Sequence, residues 1–344
     1  MHSVNAIMSP SVTRTTPRRL LLLVSLLVAL VVAVALSLVL GSNHLGIGTA
    51  VQVLLHDDGS EAATIVRDVR LPRTALGVLV GVALGAAGVL MQGHTRNPLA
   101  DPGLLGINAG AALAVALAAQ FLRVVDPGGQ VWFGFAGALI ATAAVFAIGS
   151  SGRQLSPVPM ALAGAAVMAL LSTFTSLVIL SDNPTLDVYR RWVVGSISGR
   201  DASISLGILP FVVAGLVLAM LNTRALNAVS LGEDTARGLG QSVAASRLVG
   251  LAAVTLLAGA ATAAAGPIAA LGLIVPHVVR TVTGPDHRWL LPCAALAGAV
   301  LLLLADVAGR LIAAPAEIPA GITLAILGGG AFVLIARRTR LVKL

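Results

Sequence analysis

Long apolar stretches without Asp, Glu, Lys or Arg recur along the whole chain and restrict what it can fold into. One helix needs roughly 17 to 25 such residues to cross the hydrocarbon of a bilayer. Runs of this kind occupy residues 20–41, 74–92, 103–120, 131–149, 157–180, 202–221, 248–276, 289–305 and 318–336. Because a helix satisfies its own backbone hydrogen bonds in lipid, the sequence predicts an all-α, polytopic membrane helix bundle.

The seventh run is too long for a single crossing. Gly266 and Pro267 interrupt it, and proline removes a backbone donor and clashes with the preceding helical turn. Dividing the run there gives about ten transmembrane helices. We expect an N-terminal tail over residues 1–19, a single transmembrane domain over 20–337 and a basic tail over 338–344.

The distribution of charge predicts the orientation of these spans. In the ten-span arrangement, one side carries 14 Lys and Arg residues with 4 acidic residues, and the other carries 8 with 10. Loops rich in Lys and Arg stay in the cytoplasm, so both termini are expected there, in the cytoplasmic (inner) membrane. The net charge of +8 then reflects orientation in membrane lipid, and no nucleic-acid partner is expected.

The sequence contains a single lysine, Lys343, and this bears on whether the chain can hydrolyse ATP itself. A phosphate-binding loop needs Gly-Lys-Ser/Thr, and the other 21 basic residues are arginines. We therefore expect no ATPase site and no enzyme activity in this chain, so that a partner would bind ATP and Mg²⁺. With Cys293 as the only cysteine, and with His277 lacking other ligands at metal-binding spacing, no cofactor or metal site is expected.

No Asp, Glu, Lys or Arg lies in the middle of any predicted span. Carriers driven by an ion gradient usually keep such groups at membrane depth, so the pattern favours a passive conduit moved by force from outside the bilayer. An ion-gradient-driven secondary transporter is the alternative. Asp306 and Arg310 lie one turn apart near an outer helix end and could pair. Gly77, Gly81, Gly85 and Gly88 predict a closely packed second span.

Residues 231–240 form the longest polar interruption in the second half of the chain. Glu233 and Asp234 suit the first turn of a short helix, where the dipole favours negative charge, and Gly238 and Gly240 suit its end. The ten-span arrangement places this helix in a cytoplasmic loop over about residues 222–246. A soluble partner could push on it, although a plain connector is the other interpretation.

An ordered set of motifs runs from about residue 20 to the C-terminus. It includes Arg70-Leu-Pro-Arg73, Arg96-Asn-Pro-Leu-Ala100, Gly266-Pro-Ile268, Pro276-His277 and Asp286-His-Arg288. The set resembles the permease subunits of the type II, ten-helix ABC importers for iron-siderophores, haem and vitamin B12. The resemblance implies a permease that moves an iron-siderophore, or a related chelate such as haem or cobalamin, with ATP hydrolysed by a partner subunit. It also implies a second permease subunit (identical or homologous), two cytoplasmic ATPase subunits and an extracytoplasmic substrate-binding protein.

The resemblance assigns candidate roles to individual residues. Coupling to the ATPase is matched by Leu231, Gly232, Glu233, Asp234, Ala236, Arg237, Leu239 and Gly240. Docking of the binding protein is matched by Arg70, Arg73 and Arg310, for which snorkelling to lipid headgroups is the alternative. The cytoplasmic gate is matched by Asn97, Leu99, Pro157 and Val158, while Asn97 with Pro98 could instead start a helix. Ala269 and the glycines 328–330 depart from the family pattern and could alter packing or cargo.

Overall fold

The computed structural model describes residues 15–41, 46–56, 58–150 and 157–338, with the backbone alone at 15, 47, 50, 157, 158 and 331–338. Throughout this part the chain is built from helices and connecting turns, without strands. The helices are α1 (Thr15–Val39), α2 (Ile47–Leu55), α3 (Glu61–Thr64), α4 (Leu71–Thr95), α5 (Ile107–Leu122), α6 (Pro127–Gly149), α7 (Pro157–Ser181), α8 (Asn183–Val193), α9 (Ala202–Ser230), α10 (Glu233–Gly238), α11 (Val243–Ala265), α12 (Leu271–Thr283), α13 (His287–Ile312) and α14 (Ala320–Arg338).

Ten of these helices correspond to the ten predicted spans. Among the described residues, seven helices are long and apolar enough to cross a membrane, and α5, α12 and α14 are shorter apolar helices. The interruption predicted at Gly266 is present, because α11 ends at Ala265 and α12 begins at Leu271. Gly266 has a φ of 76°, and a Cβ atom there would overlap the carbonyl oxygen of Trp192. The prediction of an all-α membrane bundle is confirmed.

The central helix of the bundle is α4, which packs against α9, α11, α12 and α13. Its glycines allow this close packing, as the sequence predicted. A Cβ atom at Gly81 would lie 2.5 Å from the Cα atom of Ala299, and one at Gly88 would overlap the carbonyl oxygen of Gly272. The backbone of α4 therefore lies directly against the backbones of α12 and α13.

Five short structures among the described residues were not predicted. They are α2, α3, a π-helix (Ile65–Arg70) that leads into α4, a 3₁₀ turn (Pro102–Leu105) and α8. The carboxylate of Asp182 caps α8 by accepting a hydrogen bond from the Thr185 backbone N–H at 3.1 Å. Val188 and Trp192 on α8 are buried, whereas the Arg190 side chain is 68% exposed. Thus α8 is an amphipathic helix between two spans.

The two ends of the bundle carry different polar groups. We call the end that holds Arg70, Arg73 and Arg310 the arginine end, and the end that holds α10 the coupling end. Helix α4 connects the two, since Arg73 lies in its first turn and Arg96 follows its last residue. The predicted sites therefore lie at opposite ends of one buried helix.

Candidate functional site

At the coupling end, α10 is the short helix that the sequence predicted. Gly232 precedes it with a φ of 116°, and Gly240 follows it with a φ of 77°. Leu231 and Leu239 flank the helix and are 68% and 61% exposed, and the Asp234 side chain is 99% exposed. A pair of accessible leucines beside an acidic residue is a surface that a soluble partner can contact.

The opposite face of α10 is attached to the bundle. Ala236 is fully buried and packs in a small apolar cluster with Val229 of α9 and Val243 of α11. Glu233 Oε1 accepts a hydrogen bond from Arg247 Nη2 of α11 at 2.6 Å. A force applied to α10 would therefore act on the ends of both α9 and α11.

The segment 96–100, which includes the predicted gate residues Asn97 and Leu99, contacts Val229 of this apolar cluster. Arg96 has a left-handed backbone with a φ of 48°, and its Nη2 donates to the carbonyl of Val229 at 2.8 Å. The side chain of Asn97 accepts a hydrogen bond from the Leu99 backbone N–H at 2.9 Å, which makes a turn. The alternative in which Asn97 starts a helix is wrong, because the chain turns here and α5 begins only at Ile107.

Asn97 and Leu99 are both exposed, as residues in a gate would be. The side chains of the other two predicted gate residues, Pro157 and Val158, lie outside the described residues. The structure does show the start of α7 near the gate segment, because both line one cavity of about 320 Å³. Asn97, Met160 and Arg247 are among its lining residues. The gate roles stay predictions.

Between the gate segment and α5 lies Asp101, which the sequence analysis did not select. Its Oδ1 accepts a hydrogen bond from the Gly103 backbone N–H at 2.7 Å and caps the 3₁₀ turn. Burial raises the pKa of the Asp101 carboxyl, and the hydrogen bond from Gly103 opposes this rise.

At the arginine end, the three predicted docking arginines are buried. Arg70, Arg73 and Arg310 are 4%, 3% and 2% exposed. Each guanidinium has acceptors within the bundle, and the snorkelling alternative stays a prediction. Whether a partner docks here is a separate matter, and the docking role stays a prediction.

Arg70 and Arg310 both bind the end of α1. Arg70 Nη1 donates to the carbonyls of Leu38 and Val39 at 2.9 and 2.6 Å. Arg310 Nη1 donates to the carbonyls of Ser37 and Leu40 at 3.0 and 2.8 Å. The last carbonyls of a helix lack intrahelical donors and carry partial negative charge. These two arginines thus fix the end of α1 to the bundle.

Arg73 binds two carboxylates. It forms a bidentate contact with Asp306, with Nη2 at 2.8 Å from Oδ1 and Nε at 3.0 Å from Oδ2. Its Nη1 lies 2.6 Å from Glu317 Oε2 and 3.2 Å from Ser198 Oγ. Asp306 Oδ2 also lies 3.1 Å from Arg310 Nη2 in an ion pair, which confirms the predicted pairing of those two residues. Sequence analysis missed Glu317 and Ser198, for which no motif or spacing gave a signal.

This helix bundle is the fold of the membrane component of an ABC transporter. A solved structure described as an inward-facing conformation of a metal-chelate type ABC transporter matches it with a TM-score of 0.82 at 27% identity, covering 92% of this chain and 99% of that one.

Two relatives of similar sequence are permease proteins of transport systems. The ferric enterobactin transport system permease protein FepD of Escherichia coli (strain K12) is 45% identical over 91% of this chain and 94% of its own length. The siderophore transport system permease protein YfiZ of Bacillus subtilis (strain 168) is 40% identical over 92% and 96%. Residues 26–338 match the FecCD transport family model, and the chain belongs to that family. It is a multi-pass permease subunit of an ABC importer, a class that works with ATPase and substrate-binding partners.

Proposed function

We propose that this permease carries a ferric siderophore inward across the cytoplasmic membrane, with both of its termini in the cytoplasm. Two separate subunits would hydrolyse the ATP and bind its Mg²⁺, and the chain itself would need no cofactor. An extracytoplasmic binding protein would deliver the cargo at the arginine end, and a second permease, identical or homologous, would complete the pathway. The names of the two relatives support this cargo.

The observation that carries the proposal is the construction of α10. Its accessible leucines, Leu231 and Leu239, face away from the bundle, while Ala236 anchors the helix. Arg96, which precedes the predicted gate residue Asn97, binds the backbone of the same apolar cluster. A partner that moves α10 would therefore act on the gate segment through Val229 of α9, which contacts both Ala236 and Arg96. The absence of lysine before Lys343 supports a motor located in another chain.

The buried arginines are compatible with the proposed orientation. Arg70, Arg73 and Arg310 would lie on the outer side, where excess positive charge is disfavoured. Asp306 and Glu317 neutralise part of that charge within the bundle. The observation that supports this orientation is the excess of Lys and Arg on the cytoplasmic side, 14 against 8 outside.

Transport in proteoliposomes tests the proposal. The permease is reconstituted with its cognate ATPase and binding protein, and ferric enterobactin, haemin and cobalamin are supplied as separate cargos. We expect ATP-dependent accumulation of the ferric siderophore that stops when the ATPase partner is inactivated and persists with an uncoupler. Uptake that continues without the ATPase and collapses with the uncoupler would favour the ion-gradient carrier. Preferred uptake of haemin or cobalamin would overturn the cargo assignment alone.

A further inference from the structure

Glu317 differs from the other groups that neutralise the arginine end. Asp306 is 1% exposed and binds both Arg73 and Arg310. Glu317 lies between α13 and α14, and its side chain is 32% exposed. Among the described residues, its carboxylate contacts Arg73 and Ser198. Of the two carboxylates on Arg73, that of Glu317 is the one that water reaches, and Arg73 keeps its bidentate contact with Asp306 when Glu317 moves away.

Glu317 occupies the atoms of Arg73 and Ser198 that an acidic side chain of a docking partner would bind. Its Oε2 lies 2.6 Å from Arg73 Nη1 and 3.3 Å from Ser198 Oγ, so the carboxylate is held by one cation and one hydroxyl at the rim of the bundle. Asp306 occupies Nε and Nη2 on the inner side of the same guanidinium. Since Glu317 is partly exposed and Asp306 is buried, Nη1 is the position of Arg73 that a second molecule could reach once Glu317 moves away.

We propose that Glu317 is an internal stand-in for a carboxylate of the substrate-binding protein and competes with it for Arg73. This inference rests on the proposed docking at the arginine end. On docking, Glu317 turns into water and an acidic side chain of the binding protein takes its place on Nη1 and Ser198. Asp306 stays bound to both Arg73 and Arg310, so one carboxylate remains on the cluster until the acidic side chain of the partner replaces Glu317.

The exchange explains how buried arginines can serve docking. An isolated buried guanidinium would carry a large desolvation cost, whereas a guanidinium already paired in the free permease avoids it. Replacing one carboxylate by another preserves the local charge. The exchange lowers the apparent affinity of the permease for the binding protein, because only permease molecules with Glu317 displaced can bind it.

The test measures binding of the cognate substrate-binding protein to the permease in lipid nanodiscs. Glu317→Gln keeps the size and hydrogen-bonding capacity of the side chain and removes its charge, and Glu317→Ala removes the competitor entirely. Both should bind the binding protein more tightly, by roughly 2- to 5-fold for a partly exposed ion pair. The matched control is Asp187→Asn, which removes the same charge from an acid that is 62% exposed and lies 3.7 Å from Arg190. It should change the affinity less than twofold.

Arg73→Lys separates failure of this inference from failure of the proposed docking. Lysine retains the charge but lacks the fork that binds two carboxylates, so it should weaken docking in both the wild-type and the Glu317→Gln backgrounds. If Arg73→Lys weakens docking while Glu317→Gln leaves it unchanged or weaker, the stand-in role is overturned and docking at Arg73 stands. If none of these variants changes the affinity, docking does not use this cluster. Thermal melting of each variant in the nanodisc checks that it is folded.

Discussion

The leucines that flank α10 allow a direct test of the coupling surface. Leu231 and Leu239 are 68% and 61% exposed, and complete burial of one leucine is worth about 1.5 to 3 kcal/mol. Burying these exposed fractions against an ATPase subunit would give about 2 to 4 kcal/mol. Alanine keeps the Cβ atom, and association recovers only part of such an area term. We therefore expect the double variant Leu231→Ala, Leu239→Ala to lose about 1 to 2 kcal/mol, or roughly 5- to 30-fold in affinity.

The assay titrates the ATPase subunit against permease in nanodiscs and measures the dissociation constant, followed by transport at saturating ATPase. Because neither leucine lies in the core, the variant should fold normally and recover transport when the ATPase is in excess. Leu221→Ala is the control, since Leu221 is 71% exposed but lies in the membrane-spanning part of α9. A double variant within twofold of wild type, or an equal loss in Leu221→Ala, would remove α10 from the coupling surface.

Three further predictions concern packing and charge. Ala236→Leu overfills a fully buried site, at a cost of about 1 to 3 kcal/mol; it should displace α10 and raise the ATP hydrolysed per cargo molecule in proteoliposomes. Gly88→Ala should lower the melting temperature because its Cβ overlaps the carbonyl of Gly272, whereas Gly329→Ala, with nothing within 4 Å, should not. The raised pKa of Asp101 means that the folded state holds the proton more tightly than the unfolded state. Stability should therefore fall as pH rises from 3.8 through the raised value, and melting of Asp101→Asn should lack that fall.

The sequence predicted the spans well because spanning a bilayer is a local requirement. Each span needs only an uninterrupted apolar run, and the one ambiguous run was resolved by Gly266 and Pro267, whose effect on a helix is local too. Helix α8 was missed although its signals are present. Asp182 and Pro184 mark its start, and Val188 and Trp192 follow at the spacing of one helical face. Its mixture of apolar and charged residues is also typical of a connecting loop.

Burial at the arginine end could not be predicted in the same way. Arg73 is separated by 233 residues from Asp306 and by 244 from Glu317, so its partners are set by how α4 packs against α13. Asp306 with Arg310 was found because a one-turn spacing is visible in sequence. The resemblance indicated that the arginines matter, but no pattern within the chain indicated that they are enclosed.

Helix α4 gives a physical reason for expecting the two ends of the bundle to move together. It carries Arg73 at its start and leads into Arg96 and the gate segment at its end, a distance of about 35 Å at 1.5 Å per residue. Between these points its glycines place its backbone against α12 and α13, where even a methyl group would overlap neighbouring atoms. A helix packed this tightly has little room to bend locally. It should therefore transmit strain from one end to the other. Docking at Arg73 and force on α10 would therefore act on one rigid unit from opposite ends. Binding of the substrate-binding protein should change the affinity for the ATPase by the same factor as binding of the ATPase changes the affinity for the substrate-binding protein.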